Sequence, residues 1–266
     1  LGWQAGFIAA ALAGLIGTVL ILLFVSDTPE SKGLPSVQVL SGEEVTKADK
    51  TPTRELQKMI LKHPGIWVIA LSSAFIYITK YAIAGWGVLF LQKQHGFSLE
   101  EASQVIAFSA IFGVLGTVLA GWLSDKIFKS KAHRTCFFCI VFATLSFFLF
   151  WKSSSLVMSF IFLVMSAFFI YGPQALYGVC ASQQSTKYAA GTSNGIVGIF
   201  GYASSVVSGV LFGSMAETGG WDSVFPVAIA FGIAGAISIG LMWNAPADGY
   251  GKLHRVIKET ENYFDR

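Results

Sequence analysis

Apolar residues in this chain come in long, nearly unbroken runs, without the alternation of a half-buried strand or the one-sided spacing of a surface helix. Seven runs approach or exceed the ~20 residues that a helix needs to cross hydrocarbon. They lie near 3–25, 66–91, 103–123, 135–151, 156–181, 191–213 and 223–243. Gly and Ala recur inside them at short intervals, and most connections are brief. That pattern predicts helices, because barrel strands would show ten-residue segments alternating between lipid and lumen. The expectation is an all-α, polytopic membrane helix bundle.

The long polar stretch, 26–64, is rich in Pro, Gly, Lys and Glu and reads as a flexible linker. It closes with Thr51-Pro52-Thr53-Arg54-Glu55-Leu56-Gln57-Lys58-Met59-Ile60, which predicts a short amphipathic helix with Thr51 as cap and Pro52 at its first position. Such a helix is expected to lie on the inner membrane face. One run before the linker and six after it predict two bundles joined in the middle. Residues 1–25 would be the last helix of the first bundle, 26–64 a central cytoplasmic loop, 65–243 a six-helix bundle and 244–266 a cytoplasmic tail. The opening Leu1-Gly2-Trp3 enters an apolar run at once, as expected for part of a longer membrane protein.

Composition sharpens this reading. Hydrophobic residues make up 54% of the 266 and charged residues 12%, with a mean hydropathy of +0.63. Soluble domains carry about 25% charged residues, so a water-facing globular enzyme is excluded, and so is disorder. All but one of the 33 charged residues fall in loops, tails or span ends. Fifteen Lys and Arg collect on the side of the long loop and C-terminus, and only Lys93 and Lys152 on the other. The bias places the long loop and the C-terminus in the cytoplasm, across a cell inner (plasma) membrane. The seven Trp fall near span ends, as an aromatic belt requires. Cys136, Cys139 and Cys180 read as packing residues, and no second pair or His cluster argues for a metal. No basic patch with interleaved aromatics points to nucleic acid. The four His lie outside the span interiors, and hydrolase, metalloprotease and phosphate-loop motifs are absent, so no enzyme and no cofactor is expected.

The exceptional charge is Lys80, near the middle of the second run. A Lys at a helix centre costs about 2.5–3.5 kcal/mol on insertion, so a tolerated one faces a partner or a wet cavity. No acid lies inside the spans to neutralise it. Snorkelling would have to reach from mid-span to an interface. An unpaired ammonium at that depth points to an anion that comes and goes. Tyr77, Lys80 and Tyr81 share one helix face at i, i+3, i+4 spacing, and the phenols could hydrogen-bond phosphate or sugar oxygens; packing alone would also explain the aromatics. Gly191-xxx-Gly195 and Gly209-xxx-Gly213 permit close helix contact, either static or sliding. Pro173 in Tyr171-Gly172-Pro173-Gln174 predicts a kink. Asp125 sits at a helix C-terminus, against the dipole, and would make sense as a cap for the next cytoplasmic helix end near Ala189–Gly191.

Two stretches carry a resemblance. Gly121-x-x-x-Asp125-Lys126, followed by further basic residues, resembles the loop signature of the major facilitator superfamily. Gly172-Pro173-Gln174-Ala-Leu, together with Ala189-Ala190-Gly191-Thr192-x-Asn194-Gly195-x-x-Gly198-x-Phe200-Gly201-Tyr202, is similar to the organophosphate:phosphate antiporters within it. The resemblance runs from about residue 3 to 243 and implies seven spans of a twelve-span transporter. It implies exchange of glycerol 3-phosphate or a hexose phosphate for inorganic phosphate by alternating access. It implies that Lys80 binds the substrate phosphate, that Tyr77, Tyr171 and Tyr202 line the cavity with Tyr81 and Gln174, and that Gly121, Asp125 and Lys126 form a conformational-switch loop. A basic partner would come from the N-terminal half, outside this chain. Ala110 and Gly85 stand where many members carry acids, which tilts the implied cargo toward a sugar phosphate. A sugar-phosphate sensor that signals through a partner protein is the alternative implied by the same family.

Overall fold

The computed structural model describes residues 3–26, 29–35, 53–153, 155–185 and 189–247. These contain eight α-helices: α1 Trp3–Phe24, α2 Thr53–Lys62, α3 Pro64–His95, α4 Leu99–Lys126, α5 Ala132–Lys152, α6 Leu156–Gln183, α7 Ala190–Thr218 and α8 Trp221–Gly240. All but α2 are long and apolar enough to cross a membrane. The chain forms two compact units, 1–51 and 52–266. The first holds α1, apolar on every side, and a 3-10 turn at Pro29–Lys32.

In the second unit α3 is the central element, packed on α4, α6, α7 and α8, while α6 joins α4 to α5 and α5 joins α8. Its start uses Pro64 in the first turn, where the missing N–H costs nothing, and it stops at Gly96, whose φ of 69° an L-residue would resist. Ser98 and Glu101 then open α4 with a reciprocal capping box. These punctuation residues explain why α3 and α4 run further than the hydropathy alone, to His95 and from Leu99.

Buried hydroxyls stitch the bundle together. Ser72 donates to the Gly235 carbonyl at 2.9 Å and pairs with the Tyr177 hydroxyl at 2.8 Å. Thr79 reaches the Ala228 carbonyl and Ser208 the Ile78 carbonyl, both at 3.1 Å. Away from water each such bond satisfies a group that lipid cannot. At one end, Phe90, Phe147, Phe150, Trp151, Trp221 and Phe225 interlock with ring centroids about 5–6 Å apart.

Two expectations are refined here. The amphipathic α2 turns part of its apolar side to protein: Leu56 and Ile60 are buried against Ile66 and Ala189, while Leu61 stays exposed. The foot of α3 and the start of α7 supply a protein surface that a sequence pattern cannot distinguish from a membrane. Its expected cap, Thr51-Pro52, lies outside the described residues, as do most of the linker and the tail beyond 247. Gly191 and Gly195 make no close approach among the described residues, since a Cβ at either would meet nothing within 4 Å. Close approach falls instead at Gly116, where a Cβ would run into the Phe168 backbone of α6. Trp86 packs on Gly213 and on Trp221, the residue that opens α8, so it lies level with the end of a neighbouring span.

Candidate functional site

Lys80 stands at the midpoint of the 32-residue α3. Its Nζ donates to Oε1 of Gln174 on α6 at 2.6 Å, its one hydrogen-bond partner among the described residues. Three phenol rings surround the same ammonium, with centroids at 4.9 Å for Tyr171 and 5.6 Å for Tyr77 and Tyr81. The i, i+3, i+4 spacing on α3 therefore forms half of a box, and Tyr171 and Gln174, one helical turn apart on α6, form the rest. Aromatic faces and a neutral amide replace part of the ammonium's hydration. They do not cancel its charge.

The box is held from behind. A Cβ at Gly113 of α4 would lie 2.7 Å from the Tyr171 ring, so only glycine lets that ring seat there. Thr117, one turn further, donates to the Gly113 and Tyr171 carbonyls at 3.2 and 3.4 Å. Gly201 plays the same part behind Tyr77, with Ser73 and the ring 3.0–3.4 Å from a would-be Cβ. These supports escaped sequence reading. The Gly113/Thr117 spacing was visible, but only the partner helix gives it a purpose.

Tyr202 of α7 does not join the ammonium. Its ring packs edge-on against Tyr77 at 5.9 Å, and the residue is 64% exposed. Five of the six expected binding residues thus converge directly, and Tyr202 extends the aromatic surface from the side.

Gly121, Asp125 and Lys126 lie elsewhere, at the exposed end of α4. Asp125 is not the cap of α7. It accepts a hydrogen bond from the Ser130 hydroxyl at 3.3 Å within its own loop, and α7 begins at Ala189 without a side-chain cap. The loop turns sharply, with Lys129 and Ser130 both at positive φ, 52° and 60°, and the Ser130 carbonyl accepts from the Gln183 amide at 2.6 Å. The loop therefore bonds to the end of α6, not to α7. The α6–α7 link at this level comes from Asn194, which donates to Ser182 at 2.8 Å.

Comparison with known proteins agrees with this architecture. The family model described as Major Facilitator Superfamily matches residues 1–209. The chain is 29% identical to the glycerol-3-phosphate transporter of Bacillus subtilis, over 91% of this chain and 56% of that protein. It is 30% identical to a probable hexose phosphate transport protein of Chlamydia trachomatis, over 92% and 58%. It is 31% identical to the membrane sensor protein UhpC of Salmonella typhimurium, over 88% and 55%. The chain thus spans somewhat more than half the length of these relatives. In fold it matches a peptide transporter POT solved with alafosfalin, at a TM-score of 0.64 and 9% identity, over 81% of this chain and 49% of that one. The seven-span, multi-pass helical protein with a caged lysine at the middle of α3 belongs to the Major Facilitator Superfamily.

Proposed function

We propose that the intact protein exchanges a phosphorylated organic compound for inorganic phosphate, with Lys80 holding the phosphoryl group. One observation carries this reading: an ammonium at mid-span whose hydrogen-bond partner is an amide and whose neighbours are phenols. Such a site has a charge to offer an anion and hydroxyl donors at its rim. The names of the relatives, carriers of glycerol 3-phosphate and of hexose phosphate, support the same cargo class.

In this reading the anion enters between this bundle and an N-terminal one, and a second basic group there completes its neutralisation. Loading offsets the charge that otherwise disfavours reorientation, which couples movement in one direction to movement in the other. Binding and reorientation suffice, with no covalent step and no cofactor. The loop of Gly121, Asp125 and Lys126 is the conformational-switch loop on the inner face. The excess of Lys and Arg supports an inner (plasma) membrane location with α2 and the C-terminus cytoplasmic.

The likeness to UhpC supports a second reading, a sugar-phosphate sensor working through a partner protein. Counterflow of labelled phosphate in proteoliposomes holding the full-length protein separates the two, since a sensor binds without exchange. For the transporter, Lys80→Ala and Lys80→Glu abolish phosphate exchange while membrane insertion persists. Wild-type rates in either variant would remove Lys80 from the site.

A further inference from the structure

The Lys80 box opens on one side into a recess between α3, α4 and α6. Lys80 and Tyr171 line it together with Ile83, Ile106, Ala110 and Ile170. Its cavity volume is about 40 Å³, enough for a short substituent only, and its surface is almost wholly apolar. Ser109 also lines it, but the hydroxyl already donates to the Ile106 carbonyl of its own helix at 2.7 Å. The Ser109 oxygen can still accept, so among the described lining side chains beyond Lys80 and Tyr171 it alone could receive a sugar hydroxyl.

Lys80 belongs to both the cage and the recess, so an anion on the ammonium has its substituent at the recess entrance. We infer that this recess seats the ester-bound carbons of the cargo, and that it selects monophosphate esters whose first carbons are poor in hydroxyls. The inference rests on the anion role of Lys80. With one acceptor to share, a carbon chain bearing several hydroxyls would lose most of its water there without replacement, at a cost that disfavours a fully hydroxylated ring in this position. A methylene placed there gains what any buried methylene gains, about fourfold in affinity when fully covered.

The test uses labelled-phosphate self-exchange by the full-length transporter in proteoliposomes, inhibited by monomethyl, monoethyl and mono-n-propyl phosphate. The expected result is inhibition that tightens about two- to fourfold with each added carbon. Self-exchange with inhibition that is flat or weakens along the series overturns the recess and leaves the anion site standing. Absence of self-exchange falls on the proposed function itself. Ala110→Phe fills the recess and flattens the series, measured against whatever exchange that variant retains. A series as steep as the wild type in Ala110→Phe also overturns the inference. If the variant does not insert, the wild-type series decides alone.

Discussion

Gln174 holds the Lys80 ammonium at 2.6 Å across the α3–α6 interface, and it does so as a neutral acceptor. The neutrality is the functional point, because a carboxylate in its place would occupy the charge permanently. Gln174→Glu is nearly isosteric and should form a partly buried ion pair with Lys80. Phosphate exchange in the full-length protein should fall at least tenfold, with thermal stability unchanged or raised. Retention of full exchange would mean that the anion is held elsewhere. Gln174→Leu, which frees the ammonium without supplying a charge, should fall less.

Tyr177 and Ser72 form a buried polar contact, with the Tyr177 ring fully buried. Since the Ser72 hydroxyl donates to the Gly235 carbonyl, the Tyr177 hydroxyl is the donor to Ser72. Tyr177→Phe removes that donor but leaves Ser72 bound to Gly235. The loss should be small, about 0.5–1.5 kcal/mol. A thermal shift of a few degrees, with exchange retained, would place this pair in the scaffold and outside the transport site.

How much of this was legible in the sequence differs from element to element. The spans follow from hydropathy because lipid permits little besides helices, and their true ends follow from Pro64, Gly96 and Ser98. Lys80 was legible because a charge at mid-span is costly enough to demand a reason. Tyr171 and Gln174 came only with the family resemblance, since pairing α3 with α6 is a matter of tertiary packing that no local period encodes. The partners of Asp125 and of α2 were not legible, for one shared reason. Each has a local pattern, a carboxylate seeking donors or an apolar stripe seeking cover, that several partners satisfy equally well.

Gly116 and Gly195 look alike in sequence, each on an apolar helix, yet their surroundings are opposite. Gly116 presses on the Phe168 backbone, and Gly195 has open space among the described residues. Gly116→Ala should destabilise the full-length protein by about 1–3 kcal/mol, because backbone cannot rotate out of the way as a side chain can. Gly195→Ala should be neutral or gain up to about 1 kcal/mol from helix propensity. Thermal unfolding of the two variants in one detergent gives the comparison. An equal loss at Gly195 would reveal a neighbour contributed by residues beyond the described ones.

His63 joins α2 to α3, and its Nδ1 is buried with no partner among the described residues. Burial pushes the imidazole below its ordinary value of 6.5. Folded His63 therefore binds a proton less readily than the unfolded chain does, so its contribution is complete above pH 6.5 and is lost as the pH falls through its folded value. The segment most exposed to that loss is α2, which is attached through the small cluster of Leu56, Ile60, Ile66 and Ala189. Amide hydrogen exchange over 54–62, corrected for intrinsic rates, should be slow at pH 7.5 and faster at pH 5.5, with α3 and α6 unaffected. His63→Asn keeps a residue suited to the cap of α3 and cannot titrate, so it should show the same protection at both pH values. If the pH dependence persists in that variant, another group controls the docking of α2.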